Sequence, residues 1–433
     1  MIKKALLIGI NYIGSPYQLQ GCINDTTKLS QFLQDNQFYS PNDITMMTDQ
    51  KPKSDPLYPN KKNIWDQLTQ LINLSNSTRE SVYLFLAYSG HGYYVPDSSG
   101  DENDHRDEVL CPVDFQQNGY IIDDDLRSKF INQLNSNVTL VVLIDSCHSG
   151  TTLDLKYTYL CNGQQKYQVS GSLTDTKCRV IAISGCTDSQ TSADAFNSNT
   201  NTYQGAMTWS FLVNYQRNIS IEQVVVNMNN WLKNNHYSQR PQLTTGQITE
   251  VRLPLDFFLY YKSPTSEQLS VINAIKWVKY GKKKKYTDVT QIIKTYLEYG
   301  YDKIKISNQI FTDPYFGVIK DLVIVLINNN IKVYREHQDI SINDIKTLLT
   351  LPSSKTQLSE FVIYAQYGKN KTWKDVTSIV KKKLTQSSTL TICNQNFGDP
   401  CYGIKKEIQI TLIDGRCKIF KEGTTISINQ ILQ

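Results

Sequence analysis

Two short polar stretches hold the residues of this chain best suited to covalent chemistry. Ser89-Gly90-His91-Gly92 closes the apolar run "VYLFLAYSGHG" (82–92), and Asp145-Ser146-Cys147-His148-Ser149-Gly150 closes "VTLVVLIDSCHSG" (138–150). A thiol with its ordinary pKa of about 8.5 is mostly protonated at neutral pH, so a nucleophilic cysteine needs a neighbouring base. An imidazole supplies one. Gly92 and Gly150 would let backbone approach a substrate, and the N–H groups of Gly92 and Cys147 are candidate donors to the oxyanion of a tetrahedral intermediate.

That chemistry requires the two stretches to meet. Each follows a β-branched apolar run of the kind found in strands buried on both faces of a parallel sheet. Two such strands side by side would deliver His91 and Cys147 to the same sheet end, where α/β proteins keep their ligands. Taken singly, each residue reads more simply as a packed core side chain; their like placement, with glycines beside each, argues for a site.

The surrounding pattern supplies such a sheet. Strand candidates at 4–10, 43–48, 81–88, 108–114, 138–145, 179–185 and 250–257 alternate with helical candidates at 24–36, 60–75, 123–135, 205–217 and 220–234. Alternation of this kind predicts a three-layer α/β domain with a mostly parallel central sheet. Residues 157–178, polar and weakly periodic, read as an exposed inter-strand loop between a region 1–156 and a region 179–262.

Beyond a Ser/Pro-containing linker the chain repeats itself. "KYGKKKKYTDVTQII" (279–293) matches "QYGKNKTWKDVTSIV" (366–380), and "SNQIFTDPYFGVIK" (307–320) matches "CNQNFGDPCYGIKK" (393–406). The pattern predicts two small β-rich repeats, at 270–345 and 358–433. Charge divides at the same place: residues 1–262 carry 20 Lys+Arg against 25 Asp+Glu, and residues 263–433 carry 25 against 15. Nucleic-acid binding by the basic repeats is disfavoured, because no aromatic RNA-binding signature accompanies the lysines; an unidentified protein partner is the reading preferred.

No apolar run approaches the ~18 residues of a membrane span. The nine cysteines are scattered with no metal-ligand spacing, which suits free thiols in a reducing, cytoplasmic setting.

"YSGHG" and "DSCHSG", together with "LLIGINY" (6–12), "GCIND" (21–25) and "SGCTDSQTSAD" (184–194), resemble the metacaspases, caspase-fold cysteine peptidases that cleave after arginine or lysine. The resemblance covers roughly residues 1–260 and is similar to a type I catalytic core. It implies His91 as general base, Cys147 as nucleophile, protein substrates and action as a monomer. It also places Cys22, Asp25, Ser89 and Asp145 in the pocket for the basic side chain. The chemistry agrees, since a guanidinium or ammonium group is best received by carboxylates. The repeats are similar, through a YG…DVT…DP…G…K skeleton, to the C-terminal domain of some J-domain co-chaperones.

The acid-rich stretches "DSSGDENDHRDEVLCPVD" (97–114) and "IIDDDL" (121–126) offer hard oxygen ligands of the kind calcium takes. The resemblance implies activating calcium held by Asp107, Asp123, Asp124 and Asp154. Lys166, Lys177 and Arg179 are candidate self-cleavage sites for an enzyme of this specificity. Two rivals stand beside this reading: a catalytically silent caspase-fold scaffold with binding left to the repeats, and a related peptidase cutting after asparagine. His105, His236 and His337 have no evident partners.

Overall fold

A computed structural model describes the chain in all but residues 97–105, 147–152, 162–165, 186–193, 198–201, 218, 250, 260–263, 283–284, 312–313, 329, 351–360, 413–415 and 433. It divides into two compact units, Met1–Tyr261 and Lys262–Gln433.

The first unit is built on strands β1 (Ile2–Gly9), β2 (Ile44–Thr48), β3 (Val82–Ser89), β7 (Val138–Asp145), β8 (Tyr157–Tyr159), β9 (Tyr167–Val169), β10 (Arg179–Ser184) and β13 (Gln242–Thr245). Their order across the central sheet is β2-β1-β3-β7-β10-β13-β8-β9. The first five are parallel, and β13, β8 and β9 add antiparallel pairs at one side. Every residue of β3 and of β7 is buried, as continuous apolar runs in the middle of a parallel sheet require.

Helices cover both faces. Helix α2 (Lys61–Asn76) lays Ile64, Leu68 and Leu71 on a core with Leu6, Leu84 and Leu140, and α4 (Asp123–Lys129) adds Leu126. The other face meets α1 (Cys22–Asp35), α5 (Ala206–Asn214) and α7 (Asp256–Leu259). Helix α6 (Ile221–Asn234) packs on α5, its start fixed by Ser220 Oγ accepting from Gln223 N–H at 3.1 Å. The sheet is the three-layer α/β architecture expected.

Three expectations need correction. The described residues 251–257 of the strand expected at 250–257 form no strand: turns, an isolated bridge at Pro254 and the start of α7 occupy them, and the strand that follows β10 in the sheet is β13. Apolar residues in "VRLPLDFFL" look the same in a buried helix and a buried strand, and Pro254 cannot donate to a ladder. Nor is 157–178 wholly an exposed loop, because β8 and β9 pair there and extend the sheet. Tyr157 and Tyr159 point to the buried side and make ring contacts with Tyr167, a two-residue period hidden among polar neighbours. The strand expected at 108–114 is β5 (Arg106–Leu110), which lies outside the central sheet, between β4 (Gly92–Pro96) and β6 (Ile121–Ile122).

In the second unit the repeats superimpose element by element in sequence. Strands Ile275–Lys282, Lys285–Asp288, Asp321–Leu326 and Ile331–Arg335 form one four-stranded antiparallel sheet; Val362–Lys369, Thr372–Asp375, Glu407–Leu412 and Cys417–Lys421 form its counterpart. Each repeat also carries helices, Thr290–Glu298 in the first and Thr377–Gln386 in the second. The shared DVT triplet is structural. Asp375 Oδ1 caps the Thr377 N–H at 3.0 Å, Val376 is buried, and Thr377 Oγ1 accepts from the Ala365 N–H at 2.9 Å. Asp288 and Thr290 make the same bonds, to Thr290 N–H and Val278 N–H. Between the repeats, Val323, Val325 and Ile331 with Trp277 and Tyr286 pack against Phe361 and Ile363.

Among the described residues no helix is long and apolar enough to cross a membrane. Truncating the fully buried Leu140 of β7 to alanine is expected to cost about 2–5 kcal/mol, read as a lower unfolding midpoint in denaturant.

Candidate active site

Strands β3 and β7 pair without interruption from Val82 opposite Val138 to Ser89 opposite Asp145. Their ends therefore lie side by side, and the Gly90 N–H donates to the Asp145 carbonyl at 3.3 Å. His91 follows Ser89 by two residues, as Cys147 follows Asp145. Cys147, His148, Ser149 and Gly150 lie outside the described residues, as does His105.

His91 is anchored from several sides. Its N–H donates to Tyr12 Oη at 2.9 Å, and its carbonyl accepts from Tyr88 Oη at 2.8 Å and from the Cys111 N–H at 3.2 Å. The Nε2 atom lies 2.8 Å from the Tyr17 carbonyl. A carbonyl can only accept, so Nε2 carries a hydrogen, and Nδ1 is the ring nitrogen left to exchange a proton. Burial raises the hydroxyls of Tyr12 and Tyr88 well above their ordinary pKa, so both stay neutral. Gly90 must be glycine, because a Cβ there would stand 2.7 Å from Tyr88 Oη and 3.0 Å from Tyr12 Oη. Gly92 opens β4 opposite Leu110.

Asp25 and Asp145 come together beside this corner, both essentially buried. Ser89 Oγ donates to Asp25 Oδ2 at 2.6 Å, and the Gly205 N–H donates to both Asp25 oxygens at 2.9 and 3.0 Å. The Thr208 N–H, in the first turn of α5, donates to Asp145 Oδ2 at 2.7 Å. A Cβ on Gly205 would stand 2.1 Å from Asp145 Oδ2 and 2.7 Å from Asp25 Oδ2; one glycine faces both carboxylates. Two buried carboxylates this near repel when both are ionised, and a proton or a cation beside them relieves that repulsion. Cys22, by contrast, packs into the hydrophobic core at the start of α1.

Of the four acids considered for calcium, Asp107, Asp123 and Asp154 are buried and Asp124 is half-buried. Asp123 accepts from the N–H groups of Glu108 at 2.6 Å and of Asp124 at 2.9 Å. Burial, helped by the charges of Glu108 and Asp107 and opposed by those hydrogen bonds, raises its pKa to about 8. Hard carboxylates under such mutual repulsion suit calcium in donor type. The set is only partly gathered: Asp154 bears on the Arg127 guanidinium, and among the described residues no three His, Cys, Asp or Glu side chains stand close enough to hold a metal.

Lys166 and Lys177 are exposed, whereas Arg179 begins β10, paired with Thr139; cleavage after Arg179 would require unzipping the central sheet. Burial pushes the thiols of Cys161 to about 12 and Cys178 to about 11, so neither is a nucleophile at neutral pH. His236 and His337 sit exposed with left-handed backbone, remote in sequence from the site.

Gly205, Thr208 and the tyrosines around His91 were not foreseeable as site residues. Gly205 in "TYQGAM" sits at an ordinary helix start, and only the tertiary fold turns it toward two carboxylates.

A family model for the metacaspase peptidase C14 domain matches residues 3–156. Metacaspase-1 of Scheffersomyces stipitis is 37% identical over 298 aligned residues, covering 58% of this chain and 72% of that protein. The chain belongs to the metacaspase family. Metacaspase-1 of Meyerozyma guilliermondii (34% identical, 58% of this chain and 71% of its own) and metacaspase-1B of Aspergillus niger (34%, 56% and 64%) agree. A solved structure from Geobacter sulfurreducens is matched over 57% of this chain and 94% of its own at 24% identity, with a TM-score of 0.40. As a metacaspase, the chain is a cysteine peptidase, and its substrates are proteins.

Gly205→Ala would drive a methyl group into Asp145, and a displacement of that size is expected to lower kcat/KM at least about 100-fold, with the far-ultraviolet dichroism spectrum retained. A pH effect follows from Asp123. Its pKa is raised on folding, so the stability due to its proton is complete below the unfolded carboxylate range and is lost as pH rises toward 8. In the presence of a chelator the melting temperature should fall over that window, and Asp123→Asn should flatten the fall.

Proposed function

We propose that this metacaspase is a calcium-stimulated endopeptidase that cuts after arginine or lysine, with Cys147 as nucleophile and His91 as base. The observation that carries the reading is the buried pair Asp25 and Asp145, gathered on Gly205 at the sheet end that bears His91. Such a pair suits the guanidinium fork, which can bond to two carboxylates at once, and suits an uncharged asparagine side chain poorly.

The hydrogen bond at Nε2 supports a definite proton path. His91 Nδ1 takes the proton from Cys147 Sγ, and the thiolate attacks the carbonyl carbon. The C=O bond opens to an oxyanion, received by the N–H groups of Gly92 and Cys147. Its collapse breaks the C–N bond, and His91 returns the proton to the departing amine. Water, deprotonated by His91, then attacks the thioester; the acid product leaves and the thiol is restored. Tyr17, Tyr12 and Tyr88 hold the imidazole in place.

Asp107, Asp123, Asp124 and Asp154 would hold calcium, whose charge would offset the repulsion among them. Lys166 and Lys177 are the accessible sites for self-cleavage. A silent scaffold has no use for a histidine tied down at the strand end by three tyrosines, and the chain keeps Cys147 as well. The repeats are proposed to bind a protein partner, and the whole to act as a cytoplasmic monomer.

Purified chain is expected to cleave internally quenched peptides with Arg or Lys before the scissile bond, faster with calcium than with chelator, and to leave Asn and Asp peptides uncut. Cys147→Ala should abolish turnover, and Asp25→Asn should lower kcat/KM about 30- to 1,000-fold, the loss typical of truncating one partner of a buried ion pair. Preference for Asn, or equal turnover by Cys147→Ala, would overturn the assignment.

A further inference from the structure

A continuous run of aromatic rings leads away from His91. The Tyr12 ring lies 4.7 Å from the imidazole, centroid to centroid, and Phe115 lies 6.2 Å from Tyr12. Phe115 in turn meets Tyr17 at 5.4 Å and Tyr120 at 5.7 Å. Tyr120 stacks toward Tyr93 at 6.4 Å, and Tyr93 stacks on Tyr94 at 4.9 Å. The inner rings are buried or half-buried, but Tyr17 is 43% and Tyr93 50% exposed. Their presentation is not loose. Gln116 Nε2 donates to Tyr17 Oη at 3.2 Å, the Tyr17 carbonyl is tied to His91, and the Arg106 guanidinium covers the Tyr94 ring at 4.1 Å.

We propose that this aromatic wall is the subsite for the residue that follows the scissile bond, and that it favours a large apolar or aromatic side chain there. The inference rests on the peptidase reading above and adds a second specificity to it. Two kinds of chemistry stand near His91. Asp25 and Asp145 are capped by Gly205 and Thr208, while the run of rings begins with Tyr12 packed on the imidazole itself. The carboxylates receive the side chain before the bond. The departing amine must lie next to the imidazole that protonates it, so the chain beyond the bond runs on His91's side, over the rings. Exposed tyrosine faces and edges gain most from apolar surface, and from other rings in edge-to-face or offset contact. A wall already fixed by stacking loses little freedom when a substrate settles on it.

The test uses quenched peptides identical except at the position after the scissile bond, which is Phe, Leu, Gly, Asp or Lys, with Arg before it. The wild-type chain should cleave the Phe and Leu peptides about tenfold better in kcat/KM than the Gly peptide, the discrimination an apolar pocket typically gives. Tyr93→Ala and Tyr17→Ala should each bring that ratio down at least threefold, and Tyr93→Phe, which keeps the ring, should preserve it. Equal rates for all five peptides in the wild type, a preference for Asp or Lys, or an unchanged ratio in both alanine variants would overturn the subsite while leaving the peptidase intact. Failure to cleave any peptide, with Cys147→Ala indistinguishable from wild type, would remove the peptidase reading and the subsite with it.

Discussion

Two carboxylates buried against one glycine are the constraint around which this corner of the molecule is arranged. Like charges withheld from water repel strongly, and each needs donors in fixed positions. The chain supplies them from two segments: a hydroxyl from the end of β3, and two amides from the start of α5, one just ahead of the helix and one in its first turn. The two segments are more than a hundred residues apart in sequence, so the pair is capped only once the sheet and α5 have come together. On the function proposed above, a basic substrate side chain would relieve the repulsion that remains.

The same strand ends govern His91. Its imidazole is oriented by a main-chain carbonyl and its backbone by two tyrosine hydroxyls whose burial keeps them neutral. Among the described residues, a main-chain carbonyl and tyrosine hydroxyls rather than a carboxylate orient this histidine.

Much of this was legible beforehand. The runs ending at Ser89 and Asp145 could be recognised as central strands because both faces of each are apolar, and their endings marked the corner at which His91 stands beside Asp145. Helix α2 was visible from the spacing of Ile64, Leu68 and Leu71. Strand β13 and the pair β8–β9 were missed because each is only three or four residues long and rich in polar or tyrosine residues, too short for an alternation such as that of Tyr157 and Tyr159 to stand out. The apolar stretch around Pro254 misled in the opposite direction, since a run of hydrophobic residues reports burial and not backbone conformation. Gly205 illustrates the same limit at the site, for nothing local distinguishes it from any other residue leading into a helix.

The packing of one repeat on the other has a consequence for the positions that correspond between them. The valines of the first repeat that meet Phe361 and Ile363 correspond in the second to Gln409 and Thr411, and Phe361 and Ile363 correspond in the first to Ala274 and Lys276. The outward faces of the pair therefore carry an amide, a hydroxyl and an ammonium group where the inner seam carries hydrocarbon, so duplication of the module was followed by a division of labour between its two faces.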